Sequence, residues 1–189
     1  MASTVMATTA LLLMDLQKHM VGMVQDDDGY LPRVQEAAAA ARANGLKVIH
    51  VAVGFRAGHP EIDRRNPTFG KAPEGYFTDA DPNAAIHPDI APIEGEPVVH
   101  KKRVSGFAGS DLEMILRAGD VGHLVLTGIA TSGVVLSTLR QAADLDFRIT
   151  VLADACHDAD PEVHRVLTEK IFPKQAEVTT VKEWAAALG

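Results

Sequence analysis

Thr127-Gly-Ile-Ala-Thr-Ser-Gly-Val-Val-Leu-Ser-Thr-Leu-Arg140 is the stretch on which the fold turns. It follows the apolar run His123-Leu-Val-Leu-Thr127, which reads as a buried strand, and leads into Val134 to Asp144, where apolar and small residues recur at helical spacing. A strand that feeds a helix through a Gly/Ser/Thr turn leaves the first backbone N–H groups of the helix unpaired and pointing outward. Ligand binding is therefore the first function to ask of this turn. No cysteine, histidine or acid lies between Thr127 and Arg140, so charged chemistry has to come from elsewhere in the chain.

Working outward, the same alternation recurs. Thr9-Ala-Leu-Leu-Leu-Met-Asp15 is a continuous apolar run, as expected of a central parallel strand covered on both faces, with Asp15 at its carboxyl end. Leu31 to Asn44 reads as a helix, with Pro32 near its start and Gly45 as its stop, and Lys47 to Val53 as the next strand. Pro97-Val-Val-His-Lys101 is a third strand. Ser110-Asp-Leu-Glu113 has capping-box spacing and opens a helix over Asp111 to Ala118. Leu124 to Gly128, Arg148 to Asp154 and Ala176 to Val181 complete six strands, with helices over Glu162 to Ile171 and Lys182 to Leu188. Strands alternating with helices predict an α/β, doubly wound, mainly parallel six-stranded sheet with helices on both faces, in one domain over residues 1–189. Ligands of such a sheet bind outside the carboxyl ends of the strands. That rule selects Asp15, Lys101, the turn from Gly128 to Val134, and Asp154 to His157. Between Gly54 and Pro97 the pattern is lost, and seven of the ten prolines fall there. So long a connection is expected to line a pocket or clasp a partner subunit.

Composition narrows the function classes. A net charge of -7, with no basic cluster beyond Lys101-Lys102-Arg103, argues against nucleic acid as a partner. The start, from Met1 to Asp15, has neither the basic lead of a signal peptide nor the length of a membrane span. The single cysteine, Cys156, cannot form an internal disulfide, which fits a reducing, cytoplasmic setting. There is no GxGxxG after the first strand, no GxxxxGK[ST] and no HExxH, so no nucleotide, metal or other cofactor is expected. Ser132 and Thr131 lack a GxSxG elbow and read as polar turn formers.

Two charged residues stand out. A carboxylate that ends a buried strand costs free energy to desolvate, so Asp15 should either meet a cation or work with a raised pKa as an acid or base. Lys101, at another strand end, is the natural partner. Cys156 follows the fifth strand, but neighbours on an extended chain face opposite ways, so His157 is poorly placed to activate it.

These pieces together resemble the isochorismatase-like hydrolase family from Leu11 to Trp184. The resemblance rests on Leu12-Leu-Met-Asp-Leu-Gln17, on His100-Lys-Lys-Arg-Val-Ser-Gly-Phe107 with Ser110-Asp-Leu112, on Thr127-Gly-Ile-Ala-Thr131 with Ser137-Thr138, and on Val151-Leu-Ala-Asp-Ala155. It implies a doubly wound α/β fold whose cysteine hydrolases use an Asp-Lys-Cys triad on amides. Asp15 and Lys101 match the first two members, and the third falls at Val134, which carries no nucleophile. The resemblance further implies a cis peptide near Ala130-Thr131, a substrate site including Gln17, Phe55, Ile129, Ala130, Thr131, Gly133 and Val134, and a homo-oligomer. Metal-binding amidases of the family carry Asp-x-His after the second strand; Phe55-Arg-Ala-Gly-His59 does not match, and no metal is expected.

The leading expectation is a hydrolase of a small anionic or cyclic metabolite that needs no cysteine, with Asp15 as acid or base beside Lys101. The alternatives are a non-catalytic relative that binds a ligand or serves in an oligomer, and an enzyme with Cys156 as its nucleophile.

Overall fold

A computed structural model describes residues 8–189. The expectation about the chain's start therefore lies in part outside the described residues. Strands β1 (Thr8–Met14), β2 (Lys47–Val53), β3 (Val98–Lys101), β4 (Val121–Ile129), β5 (Arg148–His157) and β6 (Glu177–Thr179) form one sheet in the order β3-β2-β1-β4-β5-β6. All its pairings are parallel. β1 lies between β2 and β4, and the strand order reverses at the β1/β4 junction, where open α/β sheets have their ligand crevice.

The apolar run of β1 explains both layers of the core. Side chains alternate across a strand, so Ala10, Leu12 and Met14 join one cluster with Leu116, Leu126, Leu139 and Phe172. Leu11 and Leu13 join the other, with Val34, Ala37, Ala41 and Trp184. Helices α2 (Tyr30–Ala43) and α6 (Val181–Leu188) cover this second face, while α3 (Leu112–Ala118) and α4 (Leu136–Asp144) cover the first. The two remaining α-helices, α1 (Lys18–Val21) and α5 (Pro161–Val166), are short. Among the described residues no helix is long and apolar enough to cross a membrane.

Several local expectations shift. β4 and β5 run past the ends read from their apolar cores, because Gly128 pairs with Cys156 and Ile129 with His157 beyond a break in register. The helix read over Glu162 to Ile171 stops at Val166 and continues as a wide, π-type turn over Leu167–Ile171. The capping box expected at Ser110 to Glu113 does not form: Ser110 Oγ accepts from Leu112 N–H at 3.3 Å rather than from Glu113 N–H, its hydroxyl donates to the Gly106 carbonyl at 2.6 Å, and the N-cap residue Asp111 makes no side-chain cap. A capping box is present at α6 instead, between Thr180 and Glu183.

One glycine sets how closely β1 and β4 approach at the crevice. Gly128 has φ +141°, and a Cβ built on it would lie 2.3 Å from the Met14 carbonyl oxygen. Backbone on backbone leaves no side chain to give way. Gly128→Ala is expected to lower unfolding free energy by about 3 kcal/mol or more in urea titrations. Gly45→Ala, at φ +67° with open space around it, should cost only about 1–2 kcal/mol. Equal losses would mean that the β1/β4 approach is not the constraint.

Candidate active site

The carboxyl end of β1 turns sharply at Asp15, whose φ of +56° is in the left-handed region that aspartate tolerates better than most residues. Its side chain enters the crevice and meets Lys101 from the end of β3, with Lys101 Nζ 3.1 Å from Asp15 Oδ2. Both are nearly sealed from water, at 5% and 1% exposure. Lys101 also donates to the Arg103 carbonyl at 2.9 Å. Asp15 Oδ1 is buried and accepts no hydrogen bond. Burial pushes the Asp15 carboxyl up to about 6, against the charge and hydrogen bond of Lys101, which pull it down. The desolvation cost wins.

The segment that follows Lys101 is tied to α4 by residues with no charge. Gly106 N–H donates to Thr138 Oγ1 at 2.9 Å, and the Ser105 hydroxyl donates to Gln141 Oε1 at 2.7 Å, tying the segment after β3 to α4. Thr138 thus has a positioning task that explains why a hydroxyl occupies a fully buried helical site.

A cavity of about 230 Å³ opens over the pair. Ile129, Ala130, Gly133 and Val134 of the turn form one wall. The peptide between Ile129 and Ala130 is cis, one bond before the expected place. Thr131–Val135 forms a π-type turn, and α4 proper begins only at Leu136.

Three expected substrate residues are not brought to the cavity. The Gln17 side chain donates to the Val53 and Ala84 carbonyls at 2.9 and 2.6 Å and accepts from Val53 N–H at 2.9 Å. Its whole amide is used to tie the long loop to β2. Phe55 sits behind the cavity in an aromatic cluster with Phe69 and Phe77. Thr131 turns away, its hydroxyl 2.8 Å from His164 Nδ1.

The opposite wall draws on the long connection for which pocket lining was one of two expected roles, although its individual residues were not legible in the sequence. It consists of Met20 together with Thr68, Phe69, Tyr76 and Phe77 from the irregular loop, and Val104. The only available signal was the concentration of aromatic residues between Phe55 and Phe77. The Asp154 to His157 segment, also expected at the site, lies elsewhere. Asp154 Oδ1 accepts from Val181 N–H at 2.8 Å, and His157 lines a separate cavity with Asp26, Asp158 and His164. Cys156 is buried in the core with its thiol pushed up by desolvation, so burial works against the thiolate that a nucleophile requires. Among the described residues no three histidine, cysteine or acidic side chains are grouped so that they could hold a metal ion.

Residues 9–183 match the isochorismatase domain. The chain belongs to the isochorismatase family. It is 33% identical to an uncharacterized isochorismatase family protein, YecD, of Escherichia coli O157:H7, over 96% of both chains. It is 34% identical to the ureidoacrylate amidohydrolase RutB of Stutzerimonas stutzeri, over 82% of this chain and 71% of that one. Among solved structures, an isochorismatase family protein from Burkholderia thailandensis matches with a TM-score of 0.80 at 30% identity, over 96% of this chain and 95% of that one. For one from Desulfovibrio vulgaris the values are 0.83 and 26%, over 97% and 99%. The family shared with these proteins is one of hydrolases, and the two solved structures share the fold.

Within this family member the ion pair is also a stability determinant. Lys101→Met removes the one cation that, among the described residues, pairs with Asp15, so the Asp15 pKa should rise further. Carboxyls raised in the folded state add stability that is present at low pH and lost as pH rises through the folded pKa. We therefore expect Lys101→Met to cost about 3 kcal/mol at pH 8 and distinctly less at pH 5, read by urea denaturation at both. A loss independent of pH would mean that Asp15 is not the group left unpaired.

Proposed function

We propose that this protein is an isochorismatase-family hydrolase of a small metabolite that works without a cysteine nucleophile, with Asp15 as its acid and base and Lys101 as its electrostatic partner. The observation that carries this reading is the buried Asp15–Lys101 pair, with Asp15 Oδ1 unpartnered at the floor of a mostly apolar cavity. A carboxyl near pKa 6 exchanges its proton close to neutrality, which suits it to general acid–base work.

By resemblance to family members that act on vinyl ethers, the reaction would begin with the proton of Asp15 passing to the substrate's vinyl carbon. Water adds to the oxocarbenium carbon so formed, and the resulting hemiketal breaks its C–O bond as its hydroxyl proton passes to the departing oxygen, releasing an alcohol and leaving a ketone. The proton given up by water returns to Asp15. Lys101 holds the Asp15 carboxylate in place between turnovers and lowers the cost of its charge. Val134, where the resemblance puts the family's thiol, contributes apolar shape and raises the desolvation of Asp15.

On a substrate found by screening vinyl ethers and small amides, Asp15→Asn should lower kcat by about 100-fold or more. Because the protonated carboxyl is the acid, kcat should be level below the Asp15 pKa of about 6 and fall as pH rises through it. Unchanged turnover in Asp15→Asn sinks the mechanism.

The second reading is a non-catalytic relative, and the observation favouring it is Val134 itself, an apolar side chain packed into the core at 2% exposure. Val134→Cys separates the two. Amidase activity gained by this variant, with none in the parent on any screened class, would show a site that lacks only its nucleophile. Vinyl ether hydrolysis in the parent, lost in Asp15→Asn and not raised by Val134→Cys, would support the cysteine-independent enzyme.

A further inference from the structure

The charge balance of the cavity specifies more than its reaction. Of the residues that line it, only Asp15, Lys101 and Tyr76 can titrate, and the others are apolar or offer a single hydroxyl at Thr68. The one cation in the lining is already charge-paired: of its three N–H groups, Lys101 gives one to Asp15 and another to the Arg103 carbonyl. The neighbouring cations are turned elsewhere. Lys102 Nζ donates to the Gly54 carbonyl at 2.6 Å, and Arg103 donates to the Lys102 and Glu61 carbonyls at 2.6 and 2.7 Å. Arg56 pairs with Glu61 at 2.7 Å. Among the described residues, then, no guanidinium or unpaired ammonium faces the cavity.

We propose that the cavity selects an uncharged substrate with an apolar, flat body, and that it discriminates against the carboxylate of the same shape. This rests on the hydrolase reading and deepens it. An arriving carboxylate would be attracted by Lys101 and repelled by Asp15 from nearly the same place, so its loss of hydration goes uncompensated. A neutral carbonyl or ether meets no such penalty. Phe69, Tyr76 and Phe77 line the cavity with aromatic surface that suits an apolar body. The Tyr76 hydroxyl, 3.3 Å from His19 Nε2, adds one neutral polar group at the rim. The size fits a small molecule, because about 230 Å³ lies below the ~300–1,000 Å³ of pockets for drug-sized ligands.

Benzamide and benzoate, alike in shape and different in charge, probe this directly by calorimetric titration at about pH 8, where Asp15 is ionised. The expected result is benzamide binding about tenfold or more tighter than benzoate. In Asp15→Asn the lining keeps Lys101 without its counter-charge, so benzoate should gain about tenfold while benzamide changes little. Equal or reversed preference in the parent protein overturns the inference, as does absence of benzamide binding, or no gain for benzoate in Asp15→Asn. Binding is read without turnover, so the two readings fail separately. Turnover that survives in Asp15→Asn sinks the acid mechanism and leaves the selectivity standing, whereas a benzoate preference with turnover lost in Asp15→Asn sinks only the selectivity.

Discussion

A carboxylate and an ammonium, both withdrawn from water and 3.1 Å apart, are the pair on which the rest of this structure depends. Neither charge alone would be tolerated at the end of a buried strand. Their meeting requires β1 and β3 to end at the same edge of one parallel sheet, with β2 between them. It also requires a left-handed bend at Asp15 and a loop after Lys101 pinned to α4 through Gly106, Ser105 and Thr138. Uncharged residues thereby carry much of the geometry of a charged site.

The burial that makes the pair expensive also sets its chemistry. Desolvation lifts Asp15 to about 6 even with an ammonium in contact, and the oxygen that Lys101 does not reach is left without a partner. Two demands conflict at this site: a proton donor needs a raised pKa, and a neighbouring lysine lowers it. In the folded protein burial outweighs Lys101, and the result is a group that titrates near neutrality. Gly128 belongs to the same arrangement, since its missing side chain lets the turn at Ile129 to Val134 close over Asp15.

Residues at strand ends were legible because a short apolar run marks both the strand and where it stops. Asp15, Lys101 and the turn were found in this way, and the structure brings them together. Gln17 and Phe55 entered the expected substrate site through the family resemblance, which does not say where a side chain goes in this chain. Gln17 spends its amide on backbone groups of Val53 and Ala84, and Phe55 packs behind the lining. Asp154 to His157 failed for a different reason: β5 continues to His157, carrying the segment past the crevice to another cavity. The wall of Phe69, Tyr76 and Phe77 had no periodic signal, because a segment built of turns places each side chain individually.

The sequence by itself determined the layered α/β architecture, since runs of apolar residues at strand length, separated by amphipathic stretches with glycine and proline stops, leave few other ways to bury their surface. It also determined that a carboxylate and an ammonium would stand at strand ends. Only the tertiary structure decided which strand ends share a site. That depends on strand order and on how far β5 extends, which are settled by long-range pairing and not by local pattern. It alone decided the charge balance of the cavity as well, because whether a cation is available to a ligand depends on what else in the folded chain has already engaged it.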